Sequence, residues 1–422
     1  MTHRSLHWLP LTLIVALGLL LQVACGGAGQ SSSAPQASAS PAQSSKAASP
    51  SASQAPASPA VTEVGVTDDK ILIGSYIAST GATATIGKMM IEGSRAYFNR
   101  VNDEGGVNGR KIEWLVEDGQ FDSAKTVAVT KKLVESDKVF AIVAPQGTQP
   151  TLALRQYIID NKVPLVGPQG SSVDFFKPEN RYLFSFIPPY LDQGKIIAEI
   201  AAKKLGAKSV SIFHLDEGAG KEGADGVKEK AKELGLEVRA VEPVPVNATD
   251  VSSQALKLKQ ANADVLVLGG NPPAIALLLK EIGMLNWQPK MVGLTMVNDA
   301  NLIKLAGQNA EGVQALAITF PTDADEPAVV QYRNDMKKYF PDSEPNYYSL
   351  FNYAVAKTFV DAVKGMGKNV TRDGLIKALE SMKGYQNGVM APLTFTEKDH
   401  VGIHTAGLVE VKNGKWVVGT KW

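Results

Sequence analysis

Gly218-Ala219-Gly220-Lys221-Glu222-Gly223 has the GxGxxG spacing that lets a backbone approach a pyrophosphate, between an expected strand at 209–213 and an expected helix at 223–234. Two features count against a nucleotide. His214 to Glu217 separate the strand end from the first glycine, where the dinucleotide turn should start at once. Asp216 and Glu217 would also repel phosphate charge. The alternative is a flexible loop at a sheet edge. Gly81 to Lys88 has one residue too many for a phosphate loop and puts Met89 where a metal-binding hydroxyl is required. His400 and His404 lie four apart, but in an extended segment without HExxH, and no GxSxG elbow is present. No metal, no cofactor and no catalytic residue is expected.

Three loops carry more chemistry. Thr80-Gly81-Ala82-Thr83-Ala84-Thr85 follows the first expected strand, Pro145-Gln146-Gly147-Thr148 the third, and Gly167-Pro168-Gln169-Gly170-Ser171-Ser172 the fourth. All lie at strand carboxyl ends, the edge at which open α/β sheets bind ligands. Small residues let the backbone come close. A helix start offers unpaired N–H groups and a positive dipole suited to a carboxylate. The hydroxyls of Thr148, Ser171 and Ser172 add donors. Helix capping favours the same residue types and is the competing explanation for each loop taken alone; three at one edge favour a site.

The elements that must position these loops follow from periodicity. Strands are expected at 71–77, 112–116, 139–144 and 163–166, with helices at 85–104, from Asp122 through Val134, and at 148–161. The pattern then restarts: strand 182–187, helix 192–205, strand 209–213, helix 223–234, strand 237–241, helix 250–261, strand 264–268, helix 273–285 and strand 291–295. Short apolar runs alternating with amphipathic helices imply parallel sheets covered on both faces. Three helices at about 326–340, 346–365 and 372–382 break the rhythm. A strand-rich tail follows at 393–396, 406–412 and 416–420, with Asn413-Gly414 as a hairpin turn. Such a tail would return to complete the sheets.

The single cysteine, Cys25, follows a basic start and an apolar run from Leu9 to Leu21. That run is shorter than the roughly 20 residues of a membrane helix. The arrangement resembles a bacterial lipoprotein signal, with Gln22 where Leu is usual. The alternative is an ordinary secretory signal cut near Ala24 or Ala28. Residues 28–60 are almost wholly Ser, Ala, Pro and Gln, a composition that cannot bury enough apolar area to order itself and reads as a spacer. A formal net charge of +1 argues against a nucleic-acid partner, and the lack of cysteine after position 25 excludes disulfides and thiol catalysis.

Together, Ile71 to Gly74 with Thr80-Gly81, Gly93 to Ile112 with its Gly105-Gly106-Val107-Asn108-Gly109-Arg110 core, Asp122 to Leu133, Val163 to Val166 and Gly388 to Phe395 resemble the type I periplasmic binding proteins. The nearest branch is the leucine/isoleucine/valine-binding receptors of ABC importers. The resemblance covers about 68–420. It implies two Rossmann-like α/β lobes with parallel-type sheets, joined by three crossovers near Pro188, Phe320-Pro321 and Pro392, and closing on a ligand. The expected organisation is a signal peptide over 1–24, a lipid-anchor cysteine and linker over 25–60, one lobe from 61–188 plus 321–391, and a second from 189–320 plus 392–422. The protein would be an extracytoplasmic, membrane-anchored, monomeric receptor that captures a small carboxylate-bearing solute, with a branched-chain or related amino acid leading, for an ABC permease. The alternatives are an amine-free carboxylate or amide, or a sensing role.

The resemblance also implies site residues. Gln146, Gly147, Thr148, Gln169, Gly170 and Ser171 match the loops that hold the ligand carboxylate and part of its ammonium. Thr80 belongs to the first loop, and Ile86 matches a side-chain pocket position. Ala219 and Asn271 stand where tyrosines are common, and Thr295 where an acid often pairs with the ammonium. A buried ammonium needs a partner, so Asp216 or Glu217 would substitute, or the ligand lacks an amine.

Overall fold

The computed structural model describes residues 63–177 and 179–421. The expected signal, Cys25 and the linker lie outside the described residues.

Strand β1 (Lys70–Ile77), helix α1 (Ala84–Asp103), β2 (Lys111–Asp118), α2 (Ser123–Lys131), β3 (Ile142–Val143), α3 (Thr148–Asn161), β4 (Leu165–Val166) and β5 (Leu183–Phe184) form a first series. The second series is α4 (Tyr190–Glu199), β6 (Ser209–Leu215), α5 (Gly218–Leu234), β7 (Glu237–Val244), α6 (Ser252–Ala261), β8 (Val265–Gly269), α7 (Pro272–Met284), β9 (Lys290–Gly293), α8 (Ala300–Ala306) and β10 (Gln314–Ala317). Helices α9 (Pro327–Tyr339), α10 (Tyr347–Gly365) and α11 (Arg372–Glu380) and strands β11 (Gly407–Lys412) and β12 (Lys415–Thr420) close the chain.

The first sheet has the order β2-β1-β3-β4-β5, with every pair parallel. The second runs β12-β11-β10-β9-β8-β6-β7, parallel except at the β10–β11 and β11–β12 pairs. Both faces of each sheet are covered, which is why the strands read as near-continuous apolar runs. In β1, Ile71, Ile73 and Ile77 join the core made with α1, α10 and α11, while Tyr76 joins the core made with α3. In β6, Val210 and Ile212 pack with α5, and Phe213 and Leu215 with α7. The β11–β12 hairpin turns through Asn413 at φ +53° and Gly414 at φ +70°, both positive as a type I′ turn requires.

Local signals account for the element ends. The Asp122 carboxylate accepts the Lys125 N–H at 2.7 Å and starts α2, and Asn346 with Ser349 forms a capping box on α10. Three expectations are corrected. Residues 393–396 make only isolated bridges, because Leu393 pairs with Tyr385 and Thr396 with Asp399 in tight turns. Leu393, Phe395 and Ile403 pack in the first sheet's core, so the chain makes its last passage to the second sheet after Ile403 rather than at Pro392. Helix α5 begins at Gly218, not at 223, because Glu217 caps it.

That last correction explains the glycine motif. A Cβ on Gly194 would meet the Gly223 carbonyl, one on Gly226 the Leu191 carbonyl, and one on Gly220 the Leu215 carbonyl. The glycines let α4 and α5 pack backbone to backbone and let α5 leave β6 steeply; the spacing is a packing device.

Candidate functional site

In each sheet the strand order reverses beside the first strand of its series: between β1 and β3, and between β6 and β8. Helices α1 and α3 therefore leave for opposite faces, as do α5 and α7. Each reversal opens a crevice at the strand carboxyl ends. One cavity touches both crevices. Its wall takes Thr83 and Ile86 from the β1–α1 connection, Gln146, Gly147 and Thr148 from β3–α3, Leu215, Glu217 and Ala219 from β6–α5, and Asn271 from β8–α7. Phe121, Gln169, Tyr190, Val246, Met296 and Tyr348 complete it. The cavity volume is about 70 Å³, on a scale where one water needs roughly 10–15 Å³.

The first wall is built rigidly. Gln146 and Gln169 pair three residues beyond the ends of β3 and β4, with Gly147 N–H to the Gln169 carbonyl at 3.0 Å and Gln169 N–H to the Pro145 carbonyl at 2.7 Å. Gln146 Oε1 accepts the Ala78 N–H at 2.8 Å, locking the loop after β1 to the loop after β3. Gly147 has φ +99°, and a Cβ there would stand 2.7 Å from the Phe121 ring, so only glycine fits. Behind it, the Thr151 hydroxyl donates to the Gly147 carbonyl at 2.6 Å and meets Tyr76 Oη at 2.7 Å. Helix α3 thus starts at the cavity wall. Its first N–H groups have no acceptor within the helix, and the Thr148 side chain is buried beside them.

On the second wall, Glu217 caps α5, accepting from Ala219 N at 3.0 Å and Gly220 N at 2.9 Å. Burial raises its pKa. Asn271 Oδ1 likewise caps α7 by accepting from Ala274 N at 3.1 Å. No Lys, Arg or His is among the described lining residues, and Glu217 is the one carboxylate.

Eight of the twelve expected positions line the cavity: Ile86, Gln146, Gly147, Thr148, Gln169, Glu217, Ala219 and Asn271. Four do not. Thr80 is exposed, and its hydroxyl donates to Asp118 at 2.6 Å. Burial acts to raise Asp118, but hydrogen bonds from the Thr80 hydroxyl and from the Ser79 and Gln120 N–H groups outweigh it and hold the carboxyl at about 2. Ser171 is buried with its hydroxyl 3.0 Å from that of Ser185. Gly170 lies under Thr148, where a Cβ would press on the Thr148 N–H. Thr295 is buried in a short turn, both its N–H and hydroxyl donating to Gln193 Oε1, at 3.1 and 3.0 Å; its neighbour Met296 faces the cavity instead. Thr83 represents the first of the three expected loops in place of Thr80, while Phe121, Tyr190, Leu215, Val246, Met296 and Tyr348 lie outside every expected loop position. Phe121 has φ +58°, a strained value for an aromatic residue, yet nothing local in its sequence signals this. Tyr190 and Tyr348 begin helices far from the loops in sequence and reach the cavity only through tertiary packing.

His400 and His404 do not converge. His400 stacks on Phe184 and contacts Glu380 Oε1 at 3.3 Å, while His404 pairs with Asp399 at 2.8 Å.

Residues 70–415 match the periplasmic binding protein family. The chain belongs to that family. This periplasmic binding protein is 26% identical over 330 residues to the Leu/Ile/Val-binding protein homolog 1 of Brucella suis, covering 78% of this chain and 86% of the relative. It is 25% identical over 265 residues to the leucine-, isoleucine-, valine-, threonine-, and alanine-binding protein of Pseudomonas aeruginosa, covering 62% and 70%. Among solved structures it is similar to a fatty acid ABC transporter substrate-binding protein from Thermomonospora curvata, with 25% identity, a TM-score of 0.76 and coverage of 86% and 94%. A branched-chain amino acid ABC transporter protein from Thermus thermophilus with bound valine shares the fold at 21% identity, with a TM-score of 0.78 and coverage of 84% and 97%. The two mostly parallel sheets are those of this family, whose members bind solutes outside the cytoplasm rather than transform them.

Proposed function

We propose that this periplasmic binding protein captures a small carboxylate-bearing solute, with a branched-chain or related amino acid leading, and delivers it to an ABC permease. The observation that carries the reading is the start of α3. It presents unpaired N–H groups and the Thr148 side chain to a cavity with no fixed cation. A carboxylate there is held by aligned N–H dipoles, not by an ion pair. Ile86, Leu215, Val246 and Met296 supply apolar wall for a short aliphatic chain. The amino-acid relatives support the same choice.

A second reading is an amine-free acid or amide, favoured by the fatty acid binder among the similar structures and by Thr295 at the usual acidic position. A sensing role would use the same cavity. In either case the protein acts as a non-enzymatic monomer, its lobes over 61–188 plus 321–403 and 189–320 plus 404–422 closing on the solute, and is held to the membrane through lipidated Cys25.

Thermal melting of the full chain against branched-chain amino acids, aliphatic and aromatic carboxylates, and amides tests the ligand class. Ligand at about 100 times its dissociation constant should add roughly 2.7 kcal/mol. No shift with any carboxylate rejects the reading. Cys25→Ser should release the protein from membranes, and retention would reject lipid anchoring.

A further inference from the structure

Glu217 does two things at once. As the cap of α5 it is an unusual choice, since Asn, Asp, Ser and Thr lead at that position. Its extra methylene calls for a further reason. Each of its oxygens already accepts one N–H but keeps a second lone pair. The nearest cation in sequence, Lys221, is paired with Asp216 at 2.9 Å. The cavity therefore holds a half-buried carboxylate with no cationic side chain on its wall.

Tyr190, at the start of α4, and Tyr348, at the start of α10, line the same cavity at 2% and 4% exposure. Neither hydroxyl is hydrogen-bonded to another described residue. Both phenols are raised by burial, and Glu217 is near enough for its charge to add to the effect. One carboxylate and two unpartnered phenol oxygens are acceptors for three donors. An ammonium offers three donors and no acceptor, and tyrosine rings also favour cations.

We propose that Glu217, with the Tyr190 and Tyr348 hydroxyls, is the seat of the ligand's ammonium group, making the solute class α-amino acids and placing discrimination against amine-free acids in the loop after β6. Thr295 is excluded from that duty by its bonds to Gln193. The proposal rests on the carboxylate-receptor reading, with α3 holding the other end of the amino acid.

Calorimetric titration of the full chain with valine against isovalerate, and leucine against isocaproate, tests it; within each pair only the amine differs. The wild type should favour the amino acid by roughly ten- to a hundredfold, the span of a charge-assisted hydrogen bond. Glu217→Gln should erase that preference, with circular dichroism and a cooperative melt showing that the variant is folded. Tyr190→Phe and Tyr348→Phe should reduce it in the same direction while leaving the helix cap untouched, so they decide the matter if the Gln variant does not fold. A preference that survives in the Gln variant, or in both Phe variants, overturns the proposal alone. So does equal binding of the two acids by the wild type. Binding of no acid at all overturns the carboxylate reading and the proposal with it.

Discussion

The Ser172 hydroxyl is hydrogen-bonded to the Glu222 carboxylate, joining the loop after β4 to helix α5 and so the first series to the second. Glu222 Oε2 is buried without a partner. Burial raises the carboxyl to about 7; the Ser172 bond opposes the rise and the Asp174 and Glu217 charges add to it.

A carboxyl whose folded pKa lies above its ordinary 4.5 binds its proton more tightly when folded. Its contribution to stability is complete below the unfolded value and is lost as pH rises through about 7. The melting temperature should therefore fall on going from mildly acidic to mildly basic buffer, and Glu222→Gln should flatten the slope. An unchanged slope in the variant would assign the pH dependence to other groups.

Thr148 and Ser171 should separate cleanly. Thr148→Val removes a side-chain donor at the start of α3 and should weaken carboxylate binding about tenfold, near the net worth of one hydrogen bond. Ser171→Ala breaks a buried contact with Ser185 and should cost about 1 kcal/mol of stability in urea unfolding, leaving affinity unchanged. A loss of affinity in Ser171→Ala would place that hydroxyl on the ligand instead.

Amino-acid affinity should also depend on pH through Glu217. Burial raises its pKa, so the carboxylate that receives an ammonium is lost on acidification earlier than an exposed glutamate would lose it. Affinity should fall as pH drops through that raised value, and Glu217→Gln should remove the dependence. A wild-type profile flat through the acidic range would argue against an ionised Glu217 at the ligand.

Gly226→Ala tests the reading of the glycine motif and its neighbours as packing. The added methyl meets the Leu191 carbonyl, which cannot rotate away, and overpacking of this kind costs roughly 1–3 kcal/mol. The expected readout is a lower urea midpoint with an unchanged slope. A variant as stable as the wild type would mean that α4 and α5 can separate without cost.

Much of this was legible in the chain because it depends on neighbours in sequence. The helix at 148–161, the Asp122 cap and the Asn413-Gly414 turn all follow from side chains acting on backbone within a few residues. The alternation of apolar runs with amphipathic helices likewise dictated two mostly parallel sheets. Short strands were less visible: β3 and β4 keep two residues each, and β10 was not anticipated, because ladder pairing depends on strands distant in sequence.

The site divides along the same line. That the loops after β1 and β3 face a ligand edge follows from sequence order alone, since a strand followed by a helix puts its connection there. Whether a given hydroxyl reaches the cavity was decided by packing: Thr148 does, while Ser171 turns to Ser185, Thr295 to Gln193 and Thr80 to Asp118. Tyr190 and Tyr348 enter from helices that no local pattern relates to those loops. A side chain's partners are set by which surfaces meet when the sheets are covered, and that choice belongs to the whole fold.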